Sequence, residues 1–434
     1  MKNRKSNISI LIFIIVLITF CIVVSLFRIY SREETSAKIN DKELEGEIVF
    51  VSNRTDKKQE LNKLILDFQE VHPKAKIKLE LIGDAEEILQ RRAMIQELPD
   101  VTLVPGAVKV SEYDKYFMPI DDLGFTDENI YNYGTGLGKD KKLYNLNTSI
   151  SWNGILYNKK VFKEAGINVI PLTEDEFFKV CEKLKEKGII PFVLNYKQVW
   201  TMNSWIDATS YLFNENLEYD VVVENKDILS GNSGMFEALN FARNIVQNGY
   251  SEKDLLNYDW EQSKIDLKDK KAAMMFCDSN FKFQLKDIGM NEEDIGMFPL
   301  PGSNSIKIYG DYKIGVAKNT EYPELAKAFL KFIFEEDRYV KAINITSPLK
   351  NNDNNKDLIK ELEIYNIPID FNGDTQSNQS NEEVDLHEKY DTLRRLSGLD
   401  YSFVQDYITT NEVETLINEM NNKWKELRTR ENLK

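Results

Sequence analysis

The stretch from residue 47 to 104 constrains the fold more than any other part of this chain. "EIVFV" (residues 47–51) reads as a buried strand. Leu61, Leu64, Ile65 and Phe68 follow at the i, i+3, i+4, i+7 spacing of an amphipathic helix. "KIKLELI" alternates as a second strand, "EEILQRRAMIQEL" gives a second helix, and "PDVTLV" a third strand. Strands separated by helices return across the sheet by right-handed crossovers, so a parallel α/β sheet is expected here.

Further along, the α/β pattern continues with interruptions. "GILYNKKVFKEAGI" runs from a strand end through Tyr157 and Asn158 into a short helix that Gly166 stops. "TEDE" forms a capping box at Thr173 and Glu176 for a helix ending near Gly188. "IIPFVLN" is another strand, and residues 200–257 are mostly helical. "KKAAMMF" and "DIGMFPL" are strands around a short helix. "YKIGVAK" is a further strand, with Pro323 opening the helix behind it. "NNDNNKD" and "NGDTQSNQSNEE" are polar and read as exposed loops. An amphipathic helix through Leu416, Met420, Trp424 and Leu427 closes the chain, with Trp424 in its core stripe. A pattern this long and this often interrupted suits two α/β lobes better than one large sheet.

The N-terminus carries Lys2, Arg4 and Lys5, then no charge from residue 6 to residue 27. That apolar run is long enough to cross a bilayer at about 1.5 Å per residue. It exceeds the usual core of a cleaved signal, and Phe20 before Cys21 argues against lipidation. The reading is a signal anchor, with residues 1–7 cytoplasmic, 8–27 spanning the membrane and 28–45 a polar tether to an extracellular domain.

The chain has 71 acidic and 56 basic residues, a formal net charge of -15, and no dense basic cluster, which argues against nucleic acid. Its two histidines, His72 and His387, lack metal-site spacing, and no Cys-x-x-Cys pair occurs; no metal or other cofactor is expected. Cys181 sits in a helix stripe with Phe177, Val180 and Leu184, and Cys277 follows an apolar run; both read as buried. A bridge between them stays open, with nothing in the sequence favouring it.

The order of these segments adds information. "LPDVTLV", "YNKKVFKEAGI", "KKAAMMFCDSNF", "DIGMFPLPG", "GDYKIGVAKNTEYPELAKAFLKFI" and "ITSPLK" occur in one sequence across most of residues 47–350. In content and order they resemble the extracellular solute-binding proteins of ABC importers, in the carbohydrate-binding family related to maltose-binding protein. The resemblance implies a two-lobe, periplasmic-binding-protein-like (type II) fold with a hinge of about three crossings. Lobe 1 would hold residues 46–150 and 311–348, and lobe 2 residues 151–310 and 349–434. It implies a monomer that binds a sugar or oligosaccharide between the lobes, closes on it by hinge motion and hands it to ABC permease subunits, with no catalysis. A sensor of the same fold signalling to a membrane histidine kinase, a carrier of a non-sugar solute, and a secreted glycosidase are the alternatives.

Sugar recognition needs flat aromatic faces with a few polar groups at the rim. In the loop after the first strand, Asn53, Arg54 and Asp56 are candidates, at the carboxyl end that faces the crevice in open α/β sheets. Helix capping by Thr55 or Asp56 is the competing role. Trp152, at the first expected crossing, is a candidate for the cleft, but it shares a strand face with Ile150 and Leu156, so core burial competes. Trp200 and Trp205, with Asn203 between them, suit a stacking platform. Where the family has a Gly-x-Trp turn this chain has Asp278-Ser279-Asn280-Phe281, so Asp278 and Phe281 stand in the place of that wall. Tyr309, Asp311 and Tyr312 sit at the second crossing and are candidate wall residues.

Overall fold

The computed structural model describes residues 44–431 apart from 84, 232 and 372–379, and the side chains of 353–357 are likewise left aside. The expected membrane anchor and most of its tether lie outside the described residues. Among the described residues no helix is long and apolar enough to cross a membrane.

The opening alternation folds as its periodicity predicts. Strand β1 (Gly46–Ser52) leads through the helix Lys58–Val71 to β2 (Ala75–Leu81), and the helix Ala85–Met94 leads to β3 (Val101–Leu103). β1 pairs in parallel with both β2 and β3. Leu61, Leu64, Ile65 and Phe68 are the buried stripe of the first helix. With Phe50, Leu146, Ile314, Phe329 and Tyr339 they form one hydrophobic core.

β4 (Asn145–Asn158) changes the architecture. It is a single 14-residue strand that the local pattern shows only as its last part. Its first half pairs antiparallel with β8 (Ile306–Val316), and its second half with β6 (Ala272–Asp278) and β7 (Ile295–Phe298). β5 (Ile190–Val193) extends the far edge parallel to β6, and β9 (Ile369–Phe371) pairs with β8. The sheet order is β2-β1-β3-β8-β4-β6-β5. β4 therefore gives Leu146 to the first core, Ile150 and Trp152 to a small cluster at the crossing, and Ile155 to a second large core. That second core packs Phe177, Phe192, Trp205, Phe241 and Phe298 against Tyr390, Leu393 and Trp424 from the C-terminal helices. Each such fully buried side chain contributes roughly 1.5–3 kcal/mol. Two cores joined by strands that serve both make a mixed α/β fold of two lobes.

The local signals hold. The Asn158 side chain accepts from the Lys160 and Val161 amides at 2.9 and 3.2 Å, capping the helix Lys159–Glu164, and its Nδ2 donates to the Leu267 carbonyl at 2.8 Å. Gly166 ends that turn at φ 72°, where a Cβ would be strained. Thr173 and Glu176 form the expected capping box. Trp424 is buried, with its indole N–H on the Val221 carbonyl at 3.2 Å.

One expectation is corrected and one open question is settled. "NNDNNKD" is not a loop: it opens the helix Asp353–Glu363, whose Leu358 and Leu362 close the apolar cluster at the crossing. Its polar first turns conceal a helix whose only apolar stripe comes later. Cys181 and Cys277 are both buried and free, one in the second core and the other in a separate cluster around Met275 and Phe281, so no bridge joins them.

Candidate functional site

The site follows from the register of the crossing strands. Successive side chains on a strand point to opposite faces. On β4, Ile150 and Trp152 face the apolar cluster, which leaves Ser149, Ser151 and Asn153 on the other face. Their cross-strand partners are Asp311, Tyr309 and Asp278 respectively. Directly paired residues share a face. Two carboxylates, a phenol and an amide therefore gather on one side of the sheet where the two lobes meet. The Tyr309 hydroxyl donates to Asn153 Oδ1 at 2.6 Å.

A second wall comes from the segment after β5. The buried Glu252 carboxylate accepts from the Leu194 and Asn195 amides, at 3.0 and 2.6 Å, and burial holds its pKa up at about 7 despite these hydrogen bonds. Asn195 takes a left-handed conformation, φ 45°, and the Thr201 hydroxyl donates to its carbonyl at 3.0 Å. This turn directs the helix Val199–Asn203 and the residues behind it toward the sheet. Trp205, 1% exposed, stacks on Phe276 at 5.3 Å between ring centroids. Trp200 is 53% exposed and meets Trp260 edge-on at 4.7 Å. Trp260 in turn is held by its indole N–H on Gln284 Oε1 at 3.1 Å.

The walls enclose a cavity of 380 Å³, lined among others by Asn153, Trp200, Trp205, Asp278, Tyr309 and Asp311. That lies near the lower end of the size of small-molecule sites, about 300–1,000 Å³. The cavity is acidic. Burial raises the Asp278 pKa, and burial together with the neighbouring Asp278 pushes Asp311 up to about 7. Arg54 is near enough to oppose both shifts, but its guanidinium is engaged elsewhere. It forks onto Asp56 at 2.9 and 2.7 Å and donates to the Ile343 carbonyl at 3.2 Å. Asp207, also on the cavity wall, is paired with Arg394. Among the described residues no group of three His, Cys, Asp or Glu side chains is arranged to hold a metal ion.

The structure brings Trp200, Trp205, Asp278, Tyr309 and Asp311 to one cavity, with Trp205 buried against Phe276 and Phe241 so that Trp200 alone of the expected platform is exposed. Asn53, Arg54, Asp56 and Tyr312 stand beside it rather than in its wall. The competing capping role for Asp56 is not realised, since no side chain caps the helix Lys58–Val71. Two residues are corrected. Trp152 is 3% exposed and packs with Ile306, Ile308 and Leu362 on the side of the sheet away from the cavity. Phe281 is fully buried with Leu285 and Met290, its ring 4.4 Å from Trp260. Asn203 is absent from the cavity wall, its Oδ1 buried without a partner. Sequence reasoning missed Asn153, Asn195 and Asp207. Alternation from a buried Trp152 points to Asn153; no local signal marks the other two.

A family model for bacterial extracellular solute-binding proteins matches residues 52–338, more than half of the chain. This chain belongs to that family. Among curated relatives of this solute-binding protein is a multiple sugar-binding protein of Streptococcus mutans, 25% identical over 308 residues, covering 67% of this chain and 72% of the relative. An ABC-transporter extracellular-binding protein of Pyrococcus horikoshii is also 25% identical, covering 68% and 67%. Among solved structures, a binding protein of an ABC transporter from Bifidobacterium animalis subsp. lactis, in complex with mannobiose, superposes with a TM-score of 0.76 at 23% identity, covering 90% of this chain and 96% of that one. A chitin oligosaccharide binding protein gives 0.71 at 19% identity, covering 89% and 99%.

Proposed function

We propose that this solute-binding protein captures a saccharide in the cavity between its crossing strands and its second lobe, outside the cell, and delivers it to the membrane subunits of an ABC importer without transforming it. The observation that carries the reading is the cavity itself. It sits beside β4 and β8 where they pass between the cores, and it combines the half-exposed Trp200 with amide, phenol and carboxylate groups. Aromatic faces take the apolar side of a sugar ring, and the polar groups take its hydroxyls. The sugar-binding relatives support the class. Residues 8–27 serve as the anchor that keeps the binding domain at the importer.

A thermal-shift panel of mono- and oligosaccharides against the purified protein tests the ligand class, because a ligand bound only to the native state raises the unfolding midpoint. At least one saccharide shifts the midpoint and is recovered unchanged after prolonged incubation. A shift with amino acids or peptides alone refutes the saccharide assignment, and a hydrolysed oligosaccharide refutes the carrier role. Replacing residues 8–27 with a cleavable secretion signal moves the protein from the membrane fraction to the medium, and a protein that stays in the membrane fraction refutes the anchor.

A further inference from the structure

The proposed saccharide site has an imbalance of hydrogen-bonding groups and charge. Its hydroxyl donors are spent inside the protein: Tyr309 on Asn153 Oδ1, Thr201 on the Asn195 and Gln198 carbonyls, Ser204 on the Thr201 carbonyl. Asn195 donates its amide to Met275 Sδ at 3.2 Å, while its Oδ1, on a residue 2% exposed at the cavity wall, has no partner. Acceptors, by contrast, remain. Asp311 accepts from the Tyr312 amide at 2.9 Å and Asp278 from the Asn280 amide at 2.8 Å, and neither forms an ion pair with a lysine or arginine among the described residues. The nearest cation, Arg54, is forked onto Asp56. Arg394 is engaged by Asp207 and Asp391.

Two half-buried carboxylates facing one cavity repel each other, and desolvation penalises both charges. A neutral hydroxyl donates one hydrogen bond and leaves the like-charge repulsion in place. A cation relieves both charges at once, and an ammonium group has three donors and no acceptor, the complement of the two carboxylates. The half-exposed ring of Trp200 adds a surface that attracts a cation within about 6 Å.

We infer that the cavity selects a saccharide bearing a protonated primary amine, an amino sugar, whose ammonium group sits between Asp278 and Asp311 while a ring face lies on the tryptophan wall. The inference rests on the saccharide reading and narrows it. Asp311 titrates near neutrality, so taking up an ammonium at pH 7 expels the proton that Asp311 otherwise holds part of the time.

The test is titration calorimetry of the full chain in detergent at pH 7. The probes are matched 2-amino, 2-acetamido and 2-hydroxy forms of gluco-, manno- and galacto-configured sugars and their β-1,4 oligomers. The tightest ligand carries the free amine and binds at least about tenfold more tightly than its acetamido and hydroxy counterparts, the effect of one charge-assisted hydrogen bond. Its binding releases protons in buffers of differing ionisation heat, and the neutral forms release none. Asp311→Asn, which keeps the shape and removes the charge, abolishes the preference; Asp278→Asn serves as the second variant. A neutral sugar that binds as tightly as the amine overturns this inference and leaves the saccharide reading standing. With cyclohexylamine added as a non-sugar control, binding of that amine and of no saccharide overturns the saccharide reading, and no binding by any probe overturns both.

Discussion

At the scale of single residues, the cavity holds charge at a cost to the fold. Asp311 has a folded-state pKa of about 7, above its ordinary value of 3.8. Between those pH values the native state holds more protons than the unfolded chain, so stability falls as pH rises through the window. Asp311→Asn removes that penalty. We expect the ligand-free variant to unfold at a higher temperature than the parent at pH 8, by a difference worth roughly 1–3 kcal/mol, and at the same temperature at pH 4. Equal midpoints at pH 8 would show that the carboxylate is not under strain. The two tryptophans of the wall separate in the same way. Trp200 is half exposed, so Trp200→Ala weakens saccharide binding and leaves the melting temperature nearly unchanged. Trp205 is stacked on Phe276 and Phe241, so Trp205→Ala loses about 3–5 kcal/mol of stability along with the wall. Parallel melting and binding curves for the two variants check this, and a Trp205→Ala protein as stable as the parent sinks the distinction.

At the scale of elements, the crossing strands decide what was readable in advance. The first three strands and their helices were legible because their signals are periodic and local, as were the Thr173 box and the Gly166 stop. The membership of the cavity was only partly legible. Trp152 and Asn153 are adjacent, and a strand sends them to opposite sides, so a one-residue difference in register decides which one meets the ligand. That register is set by β8, more than 150 residues away, and no local pattern records it. The turn from Asp278 to Phe281 shows a related gap. Its aromatic residue goes to the core, and beside Asp278 in the cavity wall its Asn280 takes a structural role. The Asn280 amide donates to the Ile150 carbonyl at 3.2 Å, and its Oδ1 accepts from the Thr346 amide and hydroxyl at 2.9 and 2.8 Å. One side chain thus ties β4 to the segment around Thr346. Asn280→Ala strips both ties and leaves buried backbone groups unpartnered, so we expect about 2–4 kcal/mol of lost stability. Hydrogen exchange should quicken at the Thr346 amide first; exchange unchanged there would remove Asn280 from this role.

At the scale of the whole molecule, the two cores touch through more than the cavity, and the contacts are ionic. Lys57, at the start of the first lobe's opening helix, pairs with Asp287 at 2.9 Å, on the helix that carries Phe281. Lys139 pairs with Asp385, and the Ser111 amide donates to Glu388 Oε1 at 3.1 Å, both on the helix Asn381–Ser397 packed into the second core. In a chain of net charge -15 two lobes facing each other repel on average, and these lysines reverse the sign locally. A ligand shifts an open–closed equilibrium only by its differential affinity for the closed form, so whatever biases the lobes beforehand appears in the measured affinity. Exposed ion pairs contribute about 0.2–1 kcal/mol each and weaken with salt. Lys57 is largely covered, which places its pair toward the upper part of that range. The double variant Lys57→Gln with Lys139→Gln therefore loses about two- to tenfold in saccharide affinity, and raising the parent's salt from about 0.05 to 0.5 M reproduces part of that loss. Small-angle scattering of the ligand-free double variant shows a larger radius of gyration than the parent, and saturating ligand brings the two together. An unchanged radius with unchanged affinity would mean that these pairs decorate the cleft without biasing it, and that closure rests on the ligand's contacts alone.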